Sequence, residues 1–257
     1  MSKRKQWLIL AFGALLATGI ATVAASAQQP QYPYPAACPA TTNTIVGTEG
    51  NDTLQGTPAA DLILALGGND RADGAANTDC VVMGEGNDRG AGGPDDDLVV
   101  GEQGSDRLAG DAGNDDVRGG SDNDRVVGNE GDDDLTGNAG NDRLRGNEGD
   151  DDLRGNRGND RAFGGDGDDD LRGNVGNDRV NGESGRDTVS GGSGNDRVIG
   201  GPGGDDEMFG GPGNDRLNAV DNTRDAIINC GTGHDVARID RFIDPEPVNC
   251  EVVIRRR

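Results

Sequence analysis

Starting at Asp52, an aspartate recurs at every ninth residue without a gap as far as Asp205, eighteen times in all. Around each stands one nonapeptide, as in GNAGNDRLR (137–145) or GGSGNDRVI (191–199). Strict register of this kind has no use in a disordered chain. It is the mark of a repeat architecture in which each unit stacks on the next and cannot bury its apolar face alone.

The repeat assigns a place to each residue type. Its eighth position is aliphatic at Leu54, Ile63, Val81, Val99, Leu108, Val117, Val126, Leu135, Leu144, Leu153, Leu171, Val180, Val189 and Val198. One buried side chain per nine residues predicts a three-residue strand whose middle residue points inward. The G-x-G-x-D segment before it predicts a turn whose glycines take positive φ. Strand and turn, repeated twice, make an 18-residue coil with two strands on opposite sides. The expected fold is all-β: a right-handed parallel roll with two sheets facing across a thin aliphatic core. From 47 to 218 this amounts to about nine coils, roughly 43 Å at the usual strand spacing.

A second period of eighteen separates the two sheets. Position 7 is arginine at Arg71, Arg89, Arg107, Arg125, Arg143, Arg161, Arg179 and Arg197 on one side, and Asp116, Asp134, Asp152 and Asp170 on the other. Positions 7 and 9 both face outward, so Asp116 is expected beside Arg118, Asp152 beside Arg154, and Asp170 beside Arg172. Such pairs are worth about 0.2–1 kcal/mol each and offset like charges stacked along a ladder.

Composition alone points the other way. Only 32% of the 257 residues are hydrophobic and 3% aromatic, and the net charge is −23, a balance typical of disorder. A chain disordered without a cation and ordered with one reconciles the two signals. The acidity also argues against a nucleic-acid partner, which needs basic patches.

Residues 1–27 read as a secretory signal. Lys3, Arg4 and Lys5 form a basic start, an apolar run extends from Trp7 to Ala25, and Ala25-Ser26-Ala27 supplies a cleavage site. No membrane span is expected after cleavage, and the mature chain is expected outside the cell or at its surface. A Pro-rich segment 28–46, the repeat array 47–218 and a capping segment 219–257 follow. Cys38, Cys80, Cys230 and Cys250 suit two disulfides with three possible pairings. Cys38–Cys80 and Cys230–Cys250 are favoured, because each pair flanks one end of the array.

The turns carry the chemistry. Calcium takes six to eight oxygens from carboxylates and carbonyls, more than one turn offers. Two turns stacked eighteen residues apart together supply two carboxylates and several carbonyls. The spacing therefore predicts Ca2+ between successive coils, in two rows along the two edges. Oxygen-only sites without His or Cys suit calcium better than zinc or copper, and magnesium demands tighter octahedral geometry.

Over residues 47–218 the chain resembles the RTX, or haemolysin-type, calcium-binding repeat family. That resemblance implies a β-roll with calcium bridging adjacent turns. By position it implies ligation by Asp52, Asp70, Asp88, Asp106, Asp142, Asp160, Asp178 and Asp196 on one edge. On the other edge it implies Asp115, Asp133, Asp151, Asp169 and Asp187. Position 4 loses its glycine at Ala59, Asn77, Asp95 and Asp122, so weaker sites are expected at Asp61, Asp79, Asp97 and Asp124. Asp205 precedes a one-residue insertion and Asp215 opens a shifted register, so both are ranked with the weaker group. Many such proteins carry a toxin, protease or lipase domain, and no such domain is read here.

An enzyme is not expected. Segments 28–46 and 219–257 are too short for cores of their own. His234 is the only histidine, and neither a Walker A nor a G-x-S-x-G motif occurs. The competing reading is an adhesion or surface-interaction protein. It would use the arginine stripe, with Phe163 and Ile199 on the same sheet, as a docking face.

Overall fold

The computed structural model describes Cys38, residues 43–240 and residues 243–256. The expected signal segment, and all of 28–42 except Cys38, lie outside the described residues. Among the described residues there is no helix; the chain winds into two parallel sheets of eleven and twelve strands. Consecutive strands alternate between the sheets and each pairs with the strand two further along, except at the end, where Val236–Asp240 pairs with the next strand, Val252–Arg256. About twelve coils result, more than the nine expected. The solenoid begins before the array, at Asn43–Val46, and continues after it through Ile227–Thr232, Val236–Asp240 and Val252–Arg256.

Most strands have six residues rather than three. The repeats stack in register at eighteen-residue steps, so the ladder runs on past the aliphatic position. Arg125 faces Arg143, Val126 faces Leu144, and Asn129 still faces Asn147 beyond it. Identical turns present identical backbones, and identical backbones pair.

The core is a double file of position-8 side chains. Ile63, Val81, Val99, Val117, Leu135, Leu153, Leu171 and Val189 from one sheet meet Leu108, Val126, Leu144, Val180 and Val198 from the other, all almost fully buried. Burying each such side chain contributes roughly 1.5–3 kcal/mol. Where position 8 shrinks to Gly90, Met83 fills the space; its Sδ would lie 3.1 Å from a Cβ added there.

Both favoured disulfides are present. Cys230–Cys250 ties the last strand back to the roll, beside reciprocal backbone bonds between Cys230, Val248 and Ile228. Cys38–Cys80 sits in a second small cluster with Leu62, Leu64 and Leu98, on the outer face of the first coils. There position 7 of the eleven-stranded sheet is apolar, and Asp116 is where its charged row begins.

The charged faces follow the expected division. Asp116 pairs with Arg118, Asp152 with Arg154 and Asp170 with Arg172, while Arg154 also reaches Asp134 at 2.7 Å. On the other sheet the arginine row has nine members, Arg216 extending it. None of the nine forms an ion pair with a described carboxylate.

Candidate metal centre

Each periodic aspartate closes its turn against the coil that follows. The N–H of Asp52 donates to Oδ1 of Asp70 at 2.7 Å, Asp70 to Asp88 at 2.7 Å, and Asp88 to Asp106 at 2.8 Å. This column continues through Asp124, Asp142, Asp160, Asp178, Asp196, Asp215 and Asp235. Glu251 ends it, accepting the Asp235 N–H at 2.6 Å. The second column runs Asp61, Asp79, Asp97, Asp115, Asp133, Asp151, Asp169, Asp187 and Asp206.

The residue before most of the aspartates builds a ladder in the reverse sense. The N–H of Asn141 donates to Oδ1 of Asn123 at 2.7 Å, and Asn159 to Asn141 at 2.8 Å. On the other edge Asp150 donates to Asp132 and Asp168 to Asp150. In the G-x-G-x-D pattern this position is a variable x, and its only signal in the sequence is the recurring Asn-Asp dipeptide. His234 joins the same ladder through its backbone, donating to Asn214 at 2.9 Å.

These bonds use one oxygen of each aspartate. The other, Oδ2, is buried and has no hydrogen-bond donor from Asp70 to Asp235 in the first column, and from Asp79 to Asp206 in the second. An unpartnered buried carboxylate oxygen is costly. Its recurrence at every turn is the signature of a ligand set. The space beside it is reserved as well. A Cβ at Gly146 would lie 1.8 Å from Asp151 Oδ2, and one at Gly101 would lie 2.4 Å from Asp106 Oδ2 and 2.3 Å from the Gly119 carbonyl of the next coil. A side-chain oxygen and a backbone oxygen thus converge on one cradle, with no His or Cys beside them, and such a donor set fits a hard divalent cation.

Electrostatics agree. Burial, and then the neighbouring carboxylates, push Asp97 and Asp124 up to about 8. The same causes push Asp106, Asp133, Asp151, Asp169, Asp178 and Asp187 up to about 7. Stacked carboxylates without a counter-charge resist ionisation, and a cation between them reverses this.

The geometry treats the expected ligands unequally. Asp52 and Asp61 open the columns, and threonines engage their second oxygens. Asp52 Oδ2 accepts the Thr48 N–H at 2.6 Å and its hydroxyl at 2.8 Å, while Asp61 Oδ2 accepts the Thr57 N–H at 2.5 Å and its hydroxyl at 3.0 Å. Asp79, Asp97 and Asp124, ranked as weaker, present the same orphaned oxygen as the rest. Asn77, Asp95 and Asp122 hold φ of 67°, 80° and 77° in the left-handed region that glycine would take there, so the turn keeps its shape. Asp205 is exposed and lies outside the column; Asp206 takes its place, because the inserted residue falls before the aspartate and not after Met208. Asp206 and Asp235 are column members that a fixed step of nine passes over.

A parallel two-sheet solenoid whose edges carry rows of cation-ready carboxylates defines the β-roll class of repeat protein. The chain belongs to the RTX calcium-binding nonapeptide repeat family, whose model matches overlapping windows from 40–72 to 181–217. No curated protein matches it.

Proposed function

We propose that this chain is a secreted calcium-binding repeat protein, not an enzyme, whose roll folds around Ca2+ held between stacked turns. The observation that carries this reading is the row of buried Oδ2 atoms without donors along both edges. The proposed ligands are Asp70, Asp88, Asp106, Asp124, Asp142, Asp160, Asp178, Asp196, Asp215 and Asp235 on one edge. On the other they are Asp79, Asp97, Asp115, Asp133, Asp151, Asp169, Asp187 and Asp206. Two disulfides and the signal-like sequence at 1–27 support an oxidising, extracellular setting. Metal binding to such sites is coupled to folding. Circular dichroism and small-angle scattering in chelator and in millimolar calcium test the proposal. An expanded, strand-poor chain that compacts on calcium addition supports it, and identical folded signals in both conditions overturn it.

A second reading is a surface-interaction protein. It is favoured by the unpaired arginine row, whose middle forms a groove lined by Arg125, Arg143, Arg161 and Arg179, with Phe163 stacked between Arg145 and Arg179. Reversing the charge of Arg125, Arg143 and Arg161 should abolish binding to an anionic surface and leave calcium uptake intact. Unchanged surface binding in that variant excludes this reading.

A further inference from the structure

The repeat breaks at one place, and the break gathers carboxylates. Asp206 accepts the Asp187 N–H on Oδ1 at 2.9 Å and leaves Oδ2 buried and unpaired. By the rule of the column, its own N–H should bond to the carboxylate one coil on, where Asp225 stands. That bond does not form, although the backbone ladder carries on: the Asp206 carbonyl accepts the N–H groups of Ala226 at 2.8 Å and Ile227 at 3.1 Å. Asp225 is fully buried, and neither of its carboxylate oxygens has a donor. The charged groups that face it are Asp206, Asp221 and Asp244. The loop 220–224 brings in Asp221, whose Oδ1 accepts the Thr223 N–H at 2.7 Å while its Oδ2 stays buried and unpaired.

One oxygen from each of Asp206, Asp221 and Asp225 lies within 4.8 Å of the other two. Two ligands of one calcium ion, each about 2.4 Å from it, stand at most about 4.8 Å apart. The three oxygens are therefore close enough to share an ion.

We propose that Asp206, Asp221 and Asp225 form a separate calcium site, built from side-chain carboxylates, that pins the inserted loop 220–224 to the roll. It differs from the turn sites in kind. A turn contributes one carboxylate oxygen beside glycine carbonyls, whereas this set brings three carboxylates to one point. Affinity in oxygen sites rises with the number of charged ligands, so this is the tightest site on the chain. Asp206 ends its column, while Asp221 and Asp225 fall outside the nonapeptide register, and the site stands whether or not the other column positions bind.

Equilibrium dialysis of the full chain against calcium, in excess magnesium, reads the tightest class of sites. Asp221→Asn should remove one ion per chain from that class and leave later uptake unchanged. Asp134→Asn, at an exposed carboxylate paired with Arg154, should change neither. Unaltered stoichiometry and affinity in Asp221→Asn overturn the proposal. Thermal melts in calcium guard against simple misfolding: the same variant should keep the cooperative transition of the parent but melt lower. A midpoint equal to or above that of the parent also overturns the site. If only this site binds, the parent takes up a single ion and Asp221→Asn takes up none, which separates failure of the columns from failure of this proposal.

Discussion

The N–H of Asp133 donates to Oδ1 of Asp151 at 2.9 Å, and the second oxygen of Asp151 is buried with nothing to accept from. One aspartate thus serves the backbone of one coil and leaves a charge for something else. Repeated along both edges, this division makes the fold dependent on what fills the second role.

The first consequence is a pH dependence that changes sign with calcium. In the metal-free roll, burial first and neighbouring carboxylates second push Asp97 and Asp124 up to about 8, against about 3.9 in an unfolded chain. The folded state therefore holds protons that the unfolded state releases, and stability falls as pH rises through this window. In chelator, the residual strand signal by circular dichroism should be larger near pH 5 than near pH 8. With calcium the order reverses, because protons compete with the ion; the half-saturating calcium concentration should rise roughly tenfold per unit fall in pH for each carboxyl that must shed a proton. A chelated protein whose strand signal is flat or rises with pH contradicts this account.

Gly146→Ala should displace one carboxylate. The new Cβ would fall 1.8 Å from Asp151 Oδ2, so the side chain or the turn must move, at a cost of about 1–3 kcal/mol. Calorimetric titration should show one fewer calcium ion. Gly50→Ala is the control, since the nearest atom to its Cβ would be the Thr48 hydroxyl at 3.8 Å; it should match the parent.

Thr57→Val should act independently of metal. The Thr57 hydroxyl donates to Asp61 Oδ2 at 3.0 Å, which places a donor where the later coils leave the oxygen open. Losing it should cost about 1 kcal/mol in limiting and in saturating calcium alike. A loss that calcium erases would mean that an ion reaches Asp61 after all.

Reducing Cys230–Cys250 should release the last strand. The bridge closes a loop with a sequence separation of 20, and its removal should lower stability by about 3 kcal/mol on loop-closure grounds. Hydrogen exchange should then quicken first in Val252–Arg256, the edge strand of its sheet.

Much of the roll was legible because one aliphatic and one aspartate recur in strict register. The two sheets, the two columns and the arginine row follow from steps of nine and eighteen. Counting failed wherever the chain inserts residues. A fixed step selects Asp205, while the turn selects Asp206, the aspartate two residues before the buried Met208. The same rule finds Asp235, two before the buried Ala237. The trio with Asp221 and Asp225 was not legible, since it depends on how an irregular loop folds back. Nor was the solitude of the arginines: outward carboxylates exist on the molecule, but the stacking register sets arginine beside arginine.

The two hydrogen-bond ladders also limit how such a chain can be lengthened or shortened. Asp133 bonds only to its counterpart one full coil away, and Arg125 stacks only on Arg143. A duplication or deletion of eighteen residues would leave every later residue on its own sheet. One of nine would move the arginine row onto the aspartate face for the rest of the chain, and the within-strand pairs at Arg154 and Arg172 would change sheet with it. The unit of inheritance is thus the whole coil, twice the repeat that the eye first finds.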